Sequence, residues 1–156
     1  MTGQPTFTPY PSYLDGKVAI AFLEAAFGFE VEVMVLGPDD RIVHAEMAFG
    51  DGRIGIGAEW AEAVRSPRSL GGKSTCLLHV HLESDIDAHC SRARAAGAAI
   101  LNEPQTKPYG DRTYVAADPE GNVWSFGQTV NVAARESWDR PGAVTRKDAE
   151  SAAGAA

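Results

Sequence analysis

Cysteine is scarce in this chain, with only Cys76 and Cys90 among 156 residues. The two residues form no CxxC pair and show no zinc-type spacing, which argues against a structural zinc module. Free, reduced thiols are the usual state in a cytoplasmic protein. We therefore expect both cysteines to be unpaired.

Basic residues and long apolar runs are also in short supply. The chain has 14 Lys and Arg against 21 Asp and Glu, a net charge of −7. This balance argues against a nucleic-acid partner, which requires clustered positive charge. No apolar run approaches the roughly 20 residues of a membrane helix, and residues 1–14 do not show the pattern of a signal peptide. The expected location is the cytoplasm, with no membrane partner.

Several catalytic and nucleotide-binding signatures are missing. The chain has no GxSxG nucleophile motif. The stretch GDGRIGIG at residues 50–57 matches neither a P-loop nor a dinucleotide-binding fingerprint. With 44% hydrophobic and 22% charged residues, the composition is that of an ordinary globular domain.

What the chain does contain is an internal repeat. An offset of 69 residues aligns Ala19 with Ala88, Ala26 with Ala95, Gly28 with Gly97, and Gly52 with Gly121. The order of features repeats as well. A strand-like stretch (TFTPYPSYL, then CLLHVHLE) precedes a helical stretch (KVAIAFLEAAFGF, then DAHCSRARAAGA), and three further strand-like stretches follow each helix.

Helix ends and hairpin turns support this repeat. Gly28 and Gly97 lie where a left-handed helix C-cap belongs. GDG at 50–52 and DPEG at 118–121 occupy matching places between two strands, as hairpin turns. The pattern predicts two βαβββ modules in tandem.

The predicted fold is α+β: one curved sheet system around a cleft, with the helices outside, because neither module can bury both its faces alone. We expect one domain over residues 1–130, with module one at 5–60, a linker at 61–73 and module two at 74–130. Residues 131–156, which carry no hydrophobic pattern, are predicted to be a mobile extension.

Four stretches carry a resemblance to a known family: YLDGKVAIAFLEAAFGFE, RIVHAEMAFGDGRIGIG, DIDAHCSRARAAGAAIL and YGDRTYVAADPEGNVWSFG. They resemble the vicinal oxygen chelate superfamily, most closely its glyoxalase/bleomycin-resistance-like branch, over residues 7–128. The resemblance implies the paired-module fold and a homodimer, often with clefts formed across the interface. It leaves the activity open, because this fold hosts metal isomerases, dioxygenases, thiol transferases and metal-free drug-binding proteins.

The resemblance also implies where a metal would be held in the metal-using members. Their four ligands come from the first and last strands of each module, and the matching positions fall near Thr8, Gly55, Leu77 and Ser125. These residue types do not make a divalent-metal site. We therefore expect no cofactor. The alternative is a metal relocated to His44, Glu46, His79 and His81.

Strand alternation selects the cleft-facing residues. The apolar face of each strand packs on the helices, so the polar positions of the same strand face the cleft. The ligand-binding residues predicted in this way are His44, Glu46, His79, His81, Thr113, Val115 and Ser125. Tyr109 and Trp60 are added as loop aromatics that could border the cleft. Arg112 has the wrong parity but is added because a long side chain at a strand start can turn back. Glu83 is expected to add a second carboxylate, and His89 is expected to be exposed on its helix.

Alternatives remain at three of these positions. Glu46 is either a ligand contact or half of an internal pair with a histidine or arginine. Arg112 binds an anionic group, or it forms a salt bridge to Asp111 or Asp118. Trp124 and Phe126 belong to the core, unless a one-residue register slip turns Trp124 into a stacking platform.

These observations favour a metal-independent protein that binds a small amphipathic or cationic molecule. The first alternative is a lyase, isomerase or dioxygenase that uses the relocated metal. The second is a dimeric accessory module with no ligand of its own.

Overall fold

The computed structural model describes residues 5–137 and Gly142. Module one contains the strands β1 (Ser12–Tyr13), β2 (Glu30–Leu36), β3 (Ile42–Phe49), β4 (Gly52–Gly55) and β5 (Gly57–Ala58). Its helix α1 (Gly16–Phe22) continues into a π-helical segment (Leu23–Phe27). Gly28 closes this helix at a φ of 80°, the left-handed conformation expected from the sequence.

Module two repeats the same order of elements. It contains β6 (Leu77–His81), α2 (Ile86–Ala95), β7 (Ala99–Thr106), β8 (Asp111–Ala117) and β9 (Val123–Thr129). A short 3₁₀ helix (Pro67–Leu70) lies in the predicted linker. The two predicted βαβββ units and both predicted hairpins are thus confirmed.

Strand pairing is also repeated. The order is β2-β3-β4 in module one and β6-β9-β8-β7 in module two. The first strand of each module runs parallel to the last: β1 pairs with β5, and β6 pairs with β9. β2 and β7, which correspond in the repeat, each form one end of their sheet and are called outermost strands below.

The first strand of module one is shorter than the sequence pattern predicts. Only Ser12 and Tyr13 form a regular strand, because Pro9 and Pro11 cannot donate to a ladder. The carbonyl oxygens of these prolines still accept hydrogen bonds from Gly55 and Gly57, at 2.9 and 3.0 Å. Residues 9–13 therefore lie alongside β4 and β5 as an interrupted strand.

Aromatic side chains from both modules form one core. Phe27 of the first helix contacts Trp124 and Phe126 of β9, with ring centroids 5.5 and 4.8 Å apart. Both β9 aromatics are fully buried, which confirms that they belong to the scaffold. The register slip that would have exposed Trp124 is excluded.

His89 is half-buried against this core, with its ring 4.6 Å from that of Phe126, so the prediction that it is exposed is wrong. Its Nε2 donates to the Phe27 carbonyl at 3.0 Å, so its Nδ1 is left to accept from the Tyr114 hydroxyl at 2.7 Å. Burial lowers the pKa of His89 below its ordinary value. The imidazole thereby joins α2, the sheet of module two and the end of the first helix.

The turn after β8 holds the two modules together. Asp118 is buried and accepts hydrogen bonds from the Tyr13 hydroxyl at 2.7 Å and the Trp124 indole at 3.2 Å. Glu120, also buried, accepts from the Leu14 amide and the Ser66 hydroxyl. We call Asp118 and Glu120 the module latch, since their partners lie in module one, in the linker and in β9.

A short helix, α3 (Val132–Ser137), follows the second module. Apart from residues 131–137 and Gly142, the predicted mobile extension at 131–156 lies outside the described residues. Among those that are described, no helix is long and apolar enough to cross a membrane. Cys76 and Cys90 are both free thiols, as expected.

Candidate ligand-binding site

Each sheet packs one face against the helices and leaves the other face open; we call this second side the open face. In module two, Tyr114 and Trp124 are buried on the helix side. Val115 pairs with Ser125, and Thr113 pairs with Gly127, on neighbouring strands. Because paired residues point the same way, Thr113, Val115 and Ser125 share the open face, as predicted.

His79 lies beside Ser125 on this face. The two residues are register partners in the parallel β6–β9 pair. His79 Nδ1 is 3.1 Å from the Ser125 hydroxyl. The imidazole also lies against Gly127, where an added Cβ would come within 3.0 Å of the ring. Glycine at 127 thus leaves room for the histidine ring to lie over the sheet.

The open face of module one carries the second polar pair. Ala45 and Met47 are fully buried against the helix, so His44 and Glu46 point the other way, as strand alternation predicts. Glu46 accepts a hydrogen bond from His44 Nε2 at 3.0 Å. The internal pair that the sequence left as an alternative is therefore present.

A groove of about 440 Å³ lies where β6 approaches the β3–β4 hairpin; we call it the seam groove. Its lining comprises Phe7, Pro9, Phe29, Phe49, Asp51, Gly52, Arg53, Ile54, Cys76, Leu77, Leu78, His79, Val80, His81 and Trp124. The wall is mainly apolar and aromatic. Two imidazoles, one guanidinium and one carboxylate add polar groups, a combination typical of small-molecule sites.

Strand register corrects the expected ligand positions of the metal-using members. The residue beside Ser125 is His79, not Leu77. In module one, Ser12 pairs with Gly57, so the residue beside Gly55 is Tyr10, not Thr8. The four positions thus hold one imidazole, one phenol, one hydroxyl and no side chain at Gly55, which does not fit a divalent-metal site.

The relocated metal site is not assembled either. His79 and His81 line the seam groove, whereas His44 and Glu46 bond to each other outside its lining. Within residues 5–137, no three or more His, Cys, Asp or Glu side chains are grouped so that they could hold a metal ion.

Arg112 is held away from the open face. Its guanidinium forms two hydrogen bonds to the Asp87 carboxylate of α2, at 2.7 and 2.8 Å. This partner is neither Asp111 nor Asp118, the two that the sequence suggested. The same hydrogen bonds raise the pKa of Arg112 and lower the pKa of Asp87. Arg112 is therefore a helix-side residue in this structure.

Three further candidates lie apart from the seam groove. Trp60 is largely exposed in the segment after β5, and Tyr109 is half-buried in the turn between β7 and β8. Glu83 lies past the end of β6 and is exposed. None of the three is part of the groove lining.

Two aromatic residues near the site, Phe7 and Tyr10, are not among those predicted from the sequence. Phe7 lines the seam groove, and Tyr10 lies across Gly55 on the open face of module one. The prolines around them obscured the strand pattern. The repeat did contain a signal, because the offset of 69 aligns Tyr10 with His79.

The chain is similar to a known protein family and to individual members of known sequence. Residues 15–126 match the model of the Glyoxalase/Bleomycin resistance protein/Dioxygenase superfamily. Uncharacterized protein Mb0911c of Mycobacterium bovis is 32% identical over 131 residues, which cover 81% of this chain and 85% of that protein. Rv0887c of Mycobacterium tuberculosis is similar to the same extent, over 76% of its own length.

Solved structures give the same answer for the fold. TioX from Micromonospora sp. ML1 superposes with a TM-score of 0.64 at 30% identity, covering 81% of this chain and 99% of that one. A glyoxalase/bleomycin resistance protein from Streptomyces sp. CB03234 gives 0.59 at 23% identity, covering 78% of this chain and 96% of that chain. The second likeness concerns the fold alone.

Proposed function

The chain belongs to the Glyoxalase/Bleomycin resistance protein/Dioxygenase superfamily, and on this premise we propose that it binds a small amphipathic or cationic molecule without a metal ion. In the manner of the bleomycin-resistance branch, it would sequester that molecule rather than transform it. The two free cysteines support the expected cytoplasmic location.

The seam groove is the observation that carries this proposal. Its apolar wall includes Phe7, Phe49 and Leu77, which would remove the carbon skeleton of a ligand from water. His79 and His81 lie at one side of the groove, and Asp51 lies at another. Such polar groups fix the orientation of a ligand, whereas the apolar wall supplies most of its binding free energy.

The residues at the expected metal-ligand positions support binding without a metal ion. Of the four positions that would hold a metal in the metal-using members, only His79 is an ordinary ligand of a transition ion. Its Nδ1 faces the Ser125 hydroxyl. A single imidazole does not retain a divalent ion at the concentrations found in a cell.

Nuclear magnetic resonance tests the proposal with two cationic amphipaths, ethidium and metal-free bleomycin A2, added to the ¹⁵N-labelled protein. We expect at least one of them to shift the amide signals of β6 and of the β3–β4 hairpin. Replacing Leu77 by lysine should weaken the binding of that cation, because an ammonium group would enter the groove wall.

Leu101→Lys is the matched control, since Leu101 is exposed to a similar extent (52% against 55%) but lies outside the groove. The proposal is wrong if neither probe shifts the groove amides. It is also wrong if both lysine variants reduce the affinity equally, because binding would then depend only on net charge.

We further propose that the protein is a homodimer that pairs along β2. Four consecutive apolar side chains of this outermost strand, Val33 to Leu36, are 41–46% exposed. An outermost strand with apolar residues on both faces is normally covered, since it offers both unpaired backbone groups and hydrophobic surface. A second copy in antiparallel register would cover it. Sedimentation velocity should show a dimer, and a purely monomeric species would refute this proposal.

A further inference from the structure

The ring of Tyr10 lies flat on the open face of module one. A Cβ added to Gly55 would come within 2.0–2.3 Å of three ring atoms of Tyr10, so only glycine permits this position. Gly55 is buried beneath the ring, yet Tyr10 itself remains 49% exposed. One side of the ring therefore covers the backbone of β4, and the side chain remains accessible from the other.

A carboxylate stands next to this ring. Glu46 is the register partner of Gly55 across β3 and β4, so its side chain rises from the open face directly beside the glycine under Tyr10. The His44 imidazole hydrogen-bonds to Glu46 at 3.0 Å and lies 6.4 Å from the Tyr10 ring centroid. The Glu46 side chain is 18% exposed, so it remains accessible while His44 orients it.

Two aliphatic side chains lie on the other side of Glu46 from Tyr10. Val33 and Val35 of β2 are the register partners of Glu46 and His44, and both are about half-exposed. Across the sheet, an aromatic face, a carboxylate and two branched aliphatic groups thus follow one another. We call Tyr10, Gly55, His44 and Glu46 the Tyr10 platform.

We propose that the Tyr10 platform is a subsite for a flat organic cation, such as an N-alkylated heteroaromatic ring. The face of a tyrosine ring attracts a positive charge through its quadrupole. The Glu46 carboxylate lies where it can balance that charge, and the valines shield the edge of the ligand from water. This inference rests on the proposed function: it adds a second contact surface, outside the lining of the seam groove, and names the chemical class that this surface would select.

The test compares a cation with a neutral molecule of nearly the same shape. N-methylquinolinium and N-methyl-2-quinolone are titrated into the ¹⁵N-labelled protein, and the dissociation constants are read from the amide shifts of β3 and β4. We expect the cation to bind about three- to thirtyfold more tightly than the neutral ring. Tyr10→Leu should remove this preference, Tyr10→Phe should retain it, and Glu46→Gln should reduce it.

Two further variants keep the test decisive. Gly55→Ala should act like Tyr10→Leu, because its new methyl group displaces the ring; if this variant does not fold, the Tyr10 pair alone decides. Trp60→Leu is the control, since it removes a largely exposed aromatic side chain that is not one of the platform residues and should change nothing.

The outcomes separate the two proposals. Equal affinity for the cation and the neutral ring, or a preference that survives Tyr10→Leu, overturns the inference. If ethidium or bleomycin A2 still shifts the groove amides in that case, the proposed function stands without this subsite. If no probe of either kind binds, both proposals fall.

Discussion

The two modules share one topology, but corresponding hairpin turns in them do different work. In module one the turn at 50–52 is exposed, and Asp51 contributes only to the rim of the seam groove. In module two the matching turn forms the module latch, in which Asp118 and Glu120 are buried and bonded to other parts of the chain. One turn remains available to a ligand, and the other holds the modules in register.

The corresponding strands β2 and β7 also differ between the modules. β2 exposes the apolar run Val33 to Leu36, whereas β7 ends in the polar run NEPQT and includes Glu103 and Pro104. Charged residues and proline are the usual means by which a strand avoids pairing with another molecule. β7 therefore has the composition of a strand that remains uncovered, and β2 has that of a strand that meets a partner.

The largest expected effect is a difference in stability between substitutions in the two turns. Asp118→Ala should lower the free energy of unfolding by about 3–5 kcal/mol, because the Tyr13 hydroxyl, the Trp124 indole and two backbone amides all lose their acceptor. Asp51→Ala, in the exposed turn, should change it by less than about 0.5 kcal/mol. Urea denaturation measures the free energy of unfolding of both variants. Similar losses in the two would show that the module latch stabilises the protein no more than the exposed turn does.

The next prediction concerns the outermost strands. Met34→Lys with Leu36→Lys should raise the dimer dissociation constant roughly 100-fold or more, because two copies of β2 would then bring like charges together. Leu101→Lys on β7 should leave the dissociation constant unchanged. Sedimentation equilibrium distinguishes these results. A dimer that survives the double variant but not Leu101→Lys would place the interface on β7.

The two helices should contribute differently to the pH dependence of stability. The repeat aligns His89 of α2 with Ile20 of α1, and only the first of these titrates. Since burial lowers the pKa of His89, the unfolded chain takes up the proton first as the pH falls below about 6.5. Stability should therefore decrease on acidification from pH 7 to 5.

His89→Gln should remove the contribution of His89 to the slope of unfolding free energy against pH. For one proton this contribution cannot exceed about 1.4 kcal/mol per pH unit. The measurement is the free energy of unfolding of wild type and variant across this pH range. The two are compared as a difference, so that the contributions of the other titrating groups cancel. Parallel curves would mean that His89 keeps its ordinary pKa in the folded protein.

The smallest expected effect concerns Arg112, which the repeat aligns with the exposed Val43. Arg112→Ala should leave the stability almost unchanged, since the ion pair with Asp87 is solvent-accessible. The affinity for ethidium should stay within about twofold, because the guanidinium points away from the open face. A tenfold loss of affinity, measured by fluorescence titration, would return Arg112 to the binding site.

Much of this architecture could be predicted from the sequence, and the reasons are local. The alternation of Ala45 and Met47 with His44 and Glu46 fixes which face of β3 is buried. The same alternation placed Trp124 in the core and Ser125 on the open face. Gly28 and Gly97 marked the helix ends because left-handed backbone conformations favour glycine.

The misassigned residues depend on contacts between distant parts of the chain. His89 is buried by Phe27, 62 residues away, and no local pattern on α2 reveals it. Arg112 found its carboxylate on α2 rather than on its own strand. The position of Tyr10 over Gly55 follows from strand register, and the hint in the sequence was the 69-residue offset that aligns Tyr10 with His79.

The central claim is that this protein holds a small molecule without a metal, and one titration tests it most directly. Ethidium is added to the ¹⁵N-labelled protein after exhaustive chelation, and again with one equivalent of Zn²⁺ or Mn²⁺. Binding without a metal should give the same dissociation constant in all three samples and shifts centred on β6 and the β3–β4 hairpin. Binding that disappears on chelation and returns with the metal would contradict it.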